Sequence, residues 1–193
     1  ESDISKDLSN IKKSLIVEGY YFSNIDSNVI ENNNNTVNIV FNIDIGDKSK
    51  ISIIEFTGDK IFKNKTLKNI ITSEENKFWK FISGNKYLNE QKLLLDERLL
   101  RQFYLNNGYY DVEVNTSTAT ILDDNSFKLV FNINAGNLYT VNKTKLEIPI
   151  DYNLSNFNEV QKLLNKLEGT LYSFSKISKI VKEIDKISLS REY

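Results

Sequence analysis

The sequence predicts an α+β fold built from tandem units, each with the element order strand, helix, helix, strand, strand. The main observation is a repeat: Gly19-Tyr20-Tyr21 and a strand closing at Gly46 recur 89 to 90 residues later as Gly108-Tyr109-Tyr110 and a strand closing at Gly136. A fixed period indicates one supersecondary unit copied along the chain, and such arrays usually act as binding scaffolds. The second observation is the alternation of apolar and polar residues in the strands, which is typical of a sheet with one packed face. We therefore expect helices on one face of a small three-stranded sheet.

Composition excludes several classes of function. The 193 residues carry a formal net charge of −1, which gives no general attraction to nucleic acid. The chain has no Cys and no His, so thiol catalysis, disulfides and zinc fingers are excluded, and the commonest proton shuttle is absent. No apolar run approaches the about 20 residues of a membrane span. The chain opens on Glu1 without a leader pattern, so a mature or excised segment is expected.

The middle unit, residues 48–136, is predicted to hold the full set of elements. Its first strand ends at the turn signal Gly58-Asp59, and a short helix follows with Asn64 or Thr66 as its N-cap. The apolar residues that indicate these two elements are Ile51, Ile53 and Phe56 in the strand, and Leu67, Ile70 and Ile71 on one side of the helix.

A long helix and a hairpin complete the middle unit. The helix ends at Gly108, which can adopt the left-handed conformation of a C-terminal cap. Two strands over 109–122 and 127–135 flank a turn at residues 123–126. The predicted apolar stripe of the helix is Leu88, Leu95, Leu99 and Phe103, widened by Leu100 and Tyr104, while its solvated face is Asp96, Glu97, Arg98 and Arg101.

The two flanking segments, residues 1–47 and 137–193, are predicted to be incomplete units. The first holds the second half of a unit, a helix and a hairpin, with the helix stripe Leu8, Ile11 and Leu15. The second holds the first half: a strand through Tyr139, Val141 and Leu146, a helix over 157–167, and a helix with the stripe Ile177, Val181 and Ile184. The motif Gly84-x-x-Tyr87 recurs there as Gly169-x-x-Tyr172.

Three stretches resemble POTRA (polypeptide-transport-associated) domains of the BamA family, which assembles outer-membrane β-barrels. They are Gly84-Asn85-Lys86-Tyr87, residues 93–110 (LLLDERLLRQFYLNNGYY) and residues 130–136 (VFNINAG). Trp79, Gly84, Tyr87 and the helix running into Gly108 look most like the third POTRA domain. By this resemblance, residues 1–47 end the second domain and residues 137–193 begin the fourth.

The resemblance implies a scaffold and receptor without enzymatic activity, cofactor or metal. In that family the domains lie on the periplasmic side of the bacterial outer membrane. They bind unfolded β-barrel precursors and accessory lipoproteins, and a membrane barrel follows in the same parent chain. A related barrel translocation or secretion protein, or a passive spacer that holds other modules apart, are alternative interpretations. An enzyme would need paired carboxylates or a Lys or Ser nucleophile, and no such constellation stands out at a suitable spacing.

The expected partner-binding site is the edge strand at the start of the middle hairpin. A sheet of three strands has two edges, and an uncovered edge can pair with a guest strand by β-augmentation. The alternative is a charged, blunted edge that binds nothing. Trp79 is either a surface anchor for a partner or a cover for the open end of the sheet. By the resemblance, the edge residues are Tyr110, Asp111, Val112, Glu113, Val114 and Asn115.

Overall fold

The fold is described from a computed structural model for residues 2–77, 83–148, 150 and 153–189. Short 3₁₀ turns lie at Gly84–Lys86 and Leu154–Phe157. The helices are α1 (Ser2–Val17), α2 (Asn64–Lys68), α3 (Glu90–Asn106), α4 (Asn158–Asn165) and α5 (Phe174–Leu189). The strands are β1 (Asn24–Glu31), β2 (Val37–Asp44), β3 (Ile51–Asp59), β4 (Glu113–Ile121) and β5 (Phe127–Asn134).

The middle of the chain is a three-stranded sheet in the order β3-β5-β4. The central strand β5 runs parallel to β3 and antiparallel to β4. Helices α2 and α3 pack against this sheet, which confirms the predicted α+β class and the predicted arrangement of helices on a three-stranded sheet. β3 and β4 are therefore its two edge strands.

The main core lies between β5 and the two helices. Phe131 of β5, Leu67 of α2 and Leu100 of α3 have no exposed surface. Phe131 also stacks on Phe56 of β3, with ring centroids 5.6 Å apart. Alternation along β5 places every odd-numbered residue inward, as its period of two requires. The core of this sheet is therefore organised around its central strand.

A register shift sets the inward face of β3. Ile51 pairs with Phe127 and Ile53 with Lys128, so Ser52 is an extra residue in the ladder. Such a bulge reverses the alternation that follows it. Ile54 is consequently buried, at 3% exposure, whereas Ile53 is 37% exposed.

The buried stripe of α3 also differs from the prediction. Its centre is Asp96, Leu100 and Tyr104, whereas Leu95 and Leu99 are only partly buried. The interpretation of Asp96 as part of a solvated face is wrong, because its side chain has no exposed surface. The N-cap of α2 is likewise Lys63 rather than Asn64 or Thr66, and it makes no side-chain capping bond.

The N-terminal segment forms α1 and an antiparallel hairpin of β1 and β2. The apolar side chains of β2 alternate as predicted, yet most stay exposed, with Val37 at 54% and Ile43 at 46%. Helix α1 packs against this hairpin. β1 and β2 thus form a two-stranded sheet, whereas the sheet in the middle of the chain has three strands.

The C-terminal segment contains two helices but not the predicted strand. Among residues 137–148 the structure records only an isolated bridge, between Thr140 and Leu171. A strand needs a ladder partner, and the described residues 153–189 that follow are mainly helical. In α5 the predicted positions Ile177 and Ile184 pack against the core, but the third is Ile180 instead of Val181, which is 50% exposed.

Candidate peptide-docking edge

Strand β4 is one end of the three-stranded sheet, and β5 is the only strand paired with it in the described part of the chain. The register runs from Glu113 opposite Asn134 to Ile121 opposite Phe127. An edge strand presents main-chain N–H and C=O groups on its outer side that a guest strand can pair with.

Three of the six residues predicted for this edge lie on the strand. Glu113 and Asn115 are exposed, and Val114 between them is half-buried. Glu113 and Asn115 therefore flank an inward side chain, as expected from a strand with one packed face. This short acidic and polar segment is the part of the prediction that the fold places at the sheet edge.

The other three residues precede the strand, so the strand predicted over 109–122 starts four positions later than expected, at Glu113. Tyr110 and Asp111 form a turn, and Val112 is buried in the core at 3% exposure. The reason is that β5 ends at Asn134, opposite Glu113, and the chain then turns at Gly136, where φ is +67°. Residues before Glu113 therefore have no strand to pair with.

The hairpin end of β4 shows which main-chain groups point outward. The Leu122 N–H donates to the Ser126 carbonyl at 2.8 Å, so these two residues form a hydrogen-bonded pair. Pairs alternate along an antiparallel ladder, which makes Ala119 and Ile121 members of non-hydrogen-bonded pairs. Consistently, the N–H of Phe127, the residue opposite Ile121, points away from β4 and donates to the Lys50 carbonyl at 2.8 Å. The amides of Ala119 and Ile121 therefore face the open side.

A bulge divides this edge into two straight pieces. Thr116 pairs with Phe131 and Thr118 with Val130, so Ser117 is an extra residue on β4. Bulges at sheet edges bend the strand and limit indiscriminate pairing. The pieces available for regular pairing are residues 113–116 and 118–121.

The base of β4 is tied to the segment that follows the sheet. The Tyr139 hydroxyl donates a hydrogen bond to the Asp111 carboxylate. This bond and the negative charge of Asp111 raise the pKa of Tyr139. The ring of Tyr110 packs edge-on against the rings of Tyr139 and Tyr172, at 6.0 and 5.1 Å between centroids. These contacts explain why Tyr110 and Asp111 turn away from β5.

The other edge of the sheet, at β3, is closed by groups of the chain itself. The Ile54 N–H donates to the Glu75 carboxylate at 3.0 Å. The Asn76 N–H donates to the Ile51 carbonyl at 2.6 Å, and the Lys60 ammonium donates to the Phe56 carbonyl at 2.9 Å. The two edges therefore differ: β3 is capped along its length, and β4 is open to a strand.

The ionised form of Glu75 is stabilised at this closed edge. Burial raises the pKa of Glu75, but hydrogen bonds from Lys68 and the Ile54 amide, with the charges of Lys68 and Lys77, outweigh it and lower the pKa. Sequence reasoning missed this residue. The run of polar residues 72–77 after α2 was the only signal, and such a run is typical of an ordinary loop.

Two further predicted features have different outcomes. Trp79 lies in residues 78–82, outside the described residues. The turn at residues 123–126 forms between β4 and β5 as predicted, with Asn125 at a φ of +58°. There the Asp124 carboxylate accepts from the Ser126 hydroxyl and amide, and these bonds lower the pKa of Asp124.

The described residues contain neither a cluster of metal ligands nor a helix that could span a membrane. No group of three or more Asp and Glu side chains there is arranged to hold a metal ion. None of the described helices combines the length and apolar character that a membrane crossing requires.

Comparison with known proteins identifies the three-stranded sheet and its two helices. A family model for POTRA, described as a surface antigen variable number repeat, matches residues 49–136. Residues 49–136 are a POTRA domain. Its helices are α2 and α3, and its open edge is β4.

Most of the chain is similar to part of two BamA proteins. Outer membrane protein assembly factor BamA of Neisseria meningitidis serogroup B is 25% identical over 185 residues, which are 95% of this chain and 23% of that protein. The BamA of Buchnera aphidicola subsp. Acyrthosiphon pisum is 29% identical over 154 residues, 78% of this chain and 24% of that protein. This chain thus spans about a quarter of the length of these relatives.

A solved structure shows the same fold. The crystal structure of Haemophilus influenzae BamA POTRA3-5 superposes with a TM-score of 0.56 and 18% identity, covering 95% of this chain and 68% of that chain. At this identity the likeness concerns the fold, which here includes the segments on both sides of the POTRA domain.

Proposed function

We propose that this chain is a scaffold and receptor region of an outer-membrane protein assembly factor, on the periplasmic side of the bacterial outer membrane. The observation that carries the docking mechanism is the contrast between the two sheet edges: β3 is capped by Glu75, Asn76 and Lys60, whereas β4 is unpaired on its outer side in the described part of the chain. The similarity to BamA assembly factors supports the setting.

Docking is by β-augmentation at β4. An extended guest segment pairs with the outward main-chain groups of β4, such as those of Ala119 and Ile121, and these hydrogen bonds supply affinity that is independent of sequence. Glu113 and Asn115 on the exposed face add selectivity against unsuitable neighbours. The bulge at Ser117 restricts the guest to short pairing runs on either side.

The partners follow from this mode and from the relatives. Unfolded outer-membrane protein precursors are rich in extended segments and are the proposed guests. Accessory lipoproteins of the assembly machinery and a membrane barrel of the same parent chain are the other proposed partners. We also propose the division into residues 1–47, 48–136 and 137–193, and the position of these units within the array stays a prediction.

The experiment measures binding of a fluorescent ten-residue peptide of alternating valine and threonine to the full chain by anisotropy. The test variant is Ala119→Pro, because proline removes the outward N–H and is tolerated on edge strands. Losing that main-chain hydrogen bond and the close approach it allows is expected to weaken binding about tenfold.

The matched control is Thr120→Ala, which changes an exposed side chain on the same strand but leaves every main-chain donor in place. It should bind like the parent chain. Unchanged affinity of a folded Ala119→Pro variant would remove β4 from the mechanism. If the peptide shifts no backbone amide of the parent chain in NMR spectra, the passive spacer is the better description.

A further inference from the structure

A groove runs along the closed edge of the sheet, between β3 and α2. Its volume is about 710 Å³. Its lining includes three buried side chains, those of Ile54, Ile71 and Ser73. The rim carries three lysines and two glutamates, namely Lys65, Lys68, Lys77, Glu74 and Glu75.

Glu75 occupies this groove as a bound carboxylate would. One of its oxygens accepts from the Ile54 amide at 3.0 Å and pairs with the Lys68 ammonium. Its other oxygen lies 3.7 Å from the Lys77 ammonium. Its side chain is 17% exposed. A main-chain amide and two cations thus converge on a single carboxylate position.

Two observations show that the site is built for more than the stability of a loop. The Ile54 amide is an outward main-chain donor of an edge strand, which is the group that a guest strand would use. The Ser73 hydroxyl, buried in the lining of the groove, has no hydrogen-bond partner. Buried polar atoms without a partner are rare in folded proteins. The lining of the groove thus contains a strand donor that Glu75 occupies and a buried hydroxyl without a partner.

We propose that this groove is a second peptide-docking site, for an extended segment that carries a carboxylate, and that Glu75 holds the carboxylate position until such a guest displaces it. The guest carboxylate replaces Glu75 on the Ile54 amide and the Lys68 ammonium, and its main chain lies in the groove between β3 and α2. The lining carries three lysines against two glutamates, so its net charge favours an anion.

The site is independent of β4, because the two lie at opposite ends of the sheet. It would give the POTRA domain one edge that accepts extended chains in general and one that accepts only chains able to compete with an internal carboxylate. The competition makes the second edge weak in the parent chain and strong when Glu75 is removed.

The experiment uses the full chain and two ten-residue peptides of alternating valine and threonine, one with a central Asp and one with Asn in its place. In Glu75→Ala the Asp peptide is expected to bind about tenfold more tightly than to the parent chain, because the charge-assisted hydrogen bonds become available. The Ile54 amide resonance should shift on binding. The Asn peptide should show little of this gain.

Two controls separate the groove from a general charge effect. Glu55→Ala removes an exposed carboxylate of β3 that pairs with Lys128 outside the groove, and it should leave binding of the Asp peptide unchanged. Adding Lys68→Ala to Glu75→Ala should abolish the gain. If Glu75→Ala does not fold, Glu75→Gln keeps the side-chain shape without the charge, and it should still bind the Asp peptide more tightly than Glu55→Ala does.

Equal binding of the Asp peptide to the parent chain and to the folded Glu75 variants would overturn the proposal. So would an equal gain for the Asn peptide. A shift confined to the Ala119 and Ile121 amides would also overturn it, while leaving the docking at β4 intact. Binding at Ile54 with no response at β4 would support the groove and count against the proposed use of β4.

Discussion

Asp96 of α3 is a carboxylate without exposed surface, held by donors from the segment that follows α2. It accepts from the Thr72 amide at 2.6 Å, from the Thr72 hydroxyl at 2.7 Å and from the Ser73 amide at 3.1 Å. A buried carboxylate is tolerated only when such donors replace water. Asp96 therefore connects the segment after α2 to the middle of α3.

The variant Asp96→Ala is expected to lower the free energy of unfolding by about 3 kcal/mol, because three buried or partly buried donors lose their acceptor. Urea denaturation followed by circular dichroism measures this. Gln102→Ala, at an exposed position on the same helix, should change stability by less than about 0.5 kcal/mol. Equal midpoints for the two variants would mean that Asp96 contributes nothing to the core.

Among the residues that the structure describes, Tyr104 is the largest side chain with no exposed surface, and its hydroxyl donates to the Lys60 carbonyl. Burial raises its pKa to about 12 from an ordinary value of 10.0. The stabilising effect of the neutral phenol is complete below pH 10 and is lost as the pH rises toward 12, because the unfolded state gives up its proton first. We expect the urea midpoint to fall over this range, and to fall less steeply in Tyr104→Phe. Parallel curves for the two proteins would refute the assignment.

At the level of elements, β5 is the strand on which the POTRA domain depends. It pairs on both sides, and Leu129, Phe131 and Ile133 have no exposed surface. The neighbouring β3 approaches it so closely at Gly58 that an added Cβ would lie 2.4 Å from the Ile133 carbonyl oxygen. Because the central strand β5 supplies these core side chains, the two edge strands can differ in what they bind.

The variant Phe131→Ala is expected to cost about 3–5 kcal/mol of stability, the usual cost of removing an aromatic side chain from a packed core. Small domains have total stabilities of about 5–15 kcal/mol. A loss of about 3–5 kcal/mol from the low end of that range leaves part of the protein unfolded at room temperature, which the denaturation curve would show as a lowered starting signal. Lys128→Ala on the same strand removes only a surface pair with Glu55 and should cost less than about 1 kcal/mol. A loss below that limit for Phe131→Ala would contradict the central position of β5.

At the level of the whole molecule, the two joints between the proposed units use corresponding main-chain bonds. At the first, the Ser49 N–H donates to the Gly19 carbonyl and the Leu88 N–H to the Ser49 carbonyl, both at 2.9 Å. At the second, the Tyr139 N–H donates to the Gly108 carbonyl at 2.8 Å and the Tyr172 N–H to the Tyr139 carbonyl at 2.9 Å. The repeat in sequence is thus also a repeat in the way each unit is attached to the next.

The second joint has an additional side-chain bond that caps a helix across it. Asn106 of α3 accepts from the Ser175 amide at 2.8 Å and from the Ser173 hydroxyl at 3.4 Å, at the start of α5. We expect Asn106→Ala to destabilise α5 by about 1 kcal/mol, as the loss of an N-cap does. Hydrogen exchange should then be faster in α5 and unchanged in β5. Gln91→Ala, at an exposed position of α3, is the control, and equal exchange in both variants would show that this cap is dispensable.

Local patterns in the chain were enough for the fold class, most helices, the hairpins and the turns at Gly19 and Gly108, both of which have positive φ. These features depend on side-chain periodicity and on the conformational freedom of single residues, which are properties of short stretches. The resemblance to POTRA domains also predicted an edge strand at the start of the middle hairpin. Its position at the end of the sheet is observed, with a start at Glu113 instead of residue 109.

Contacts between distant residues decided the rest. The bulge at Ser52 exchanged Ile53 for Ile54 in the core, and donors 23 to 24 residues away made Asp96 a core residue. The closure of β3 depends on Glu75, 21 residues from Ile54 in the chain. No periodicity encodes such pairings, because each depends on which groups the packed sheet and helices bring within hydrogen-bonding distance. For that reason the chain pattern reveals that the sheet has edges, and the folded packing determines which edge is open.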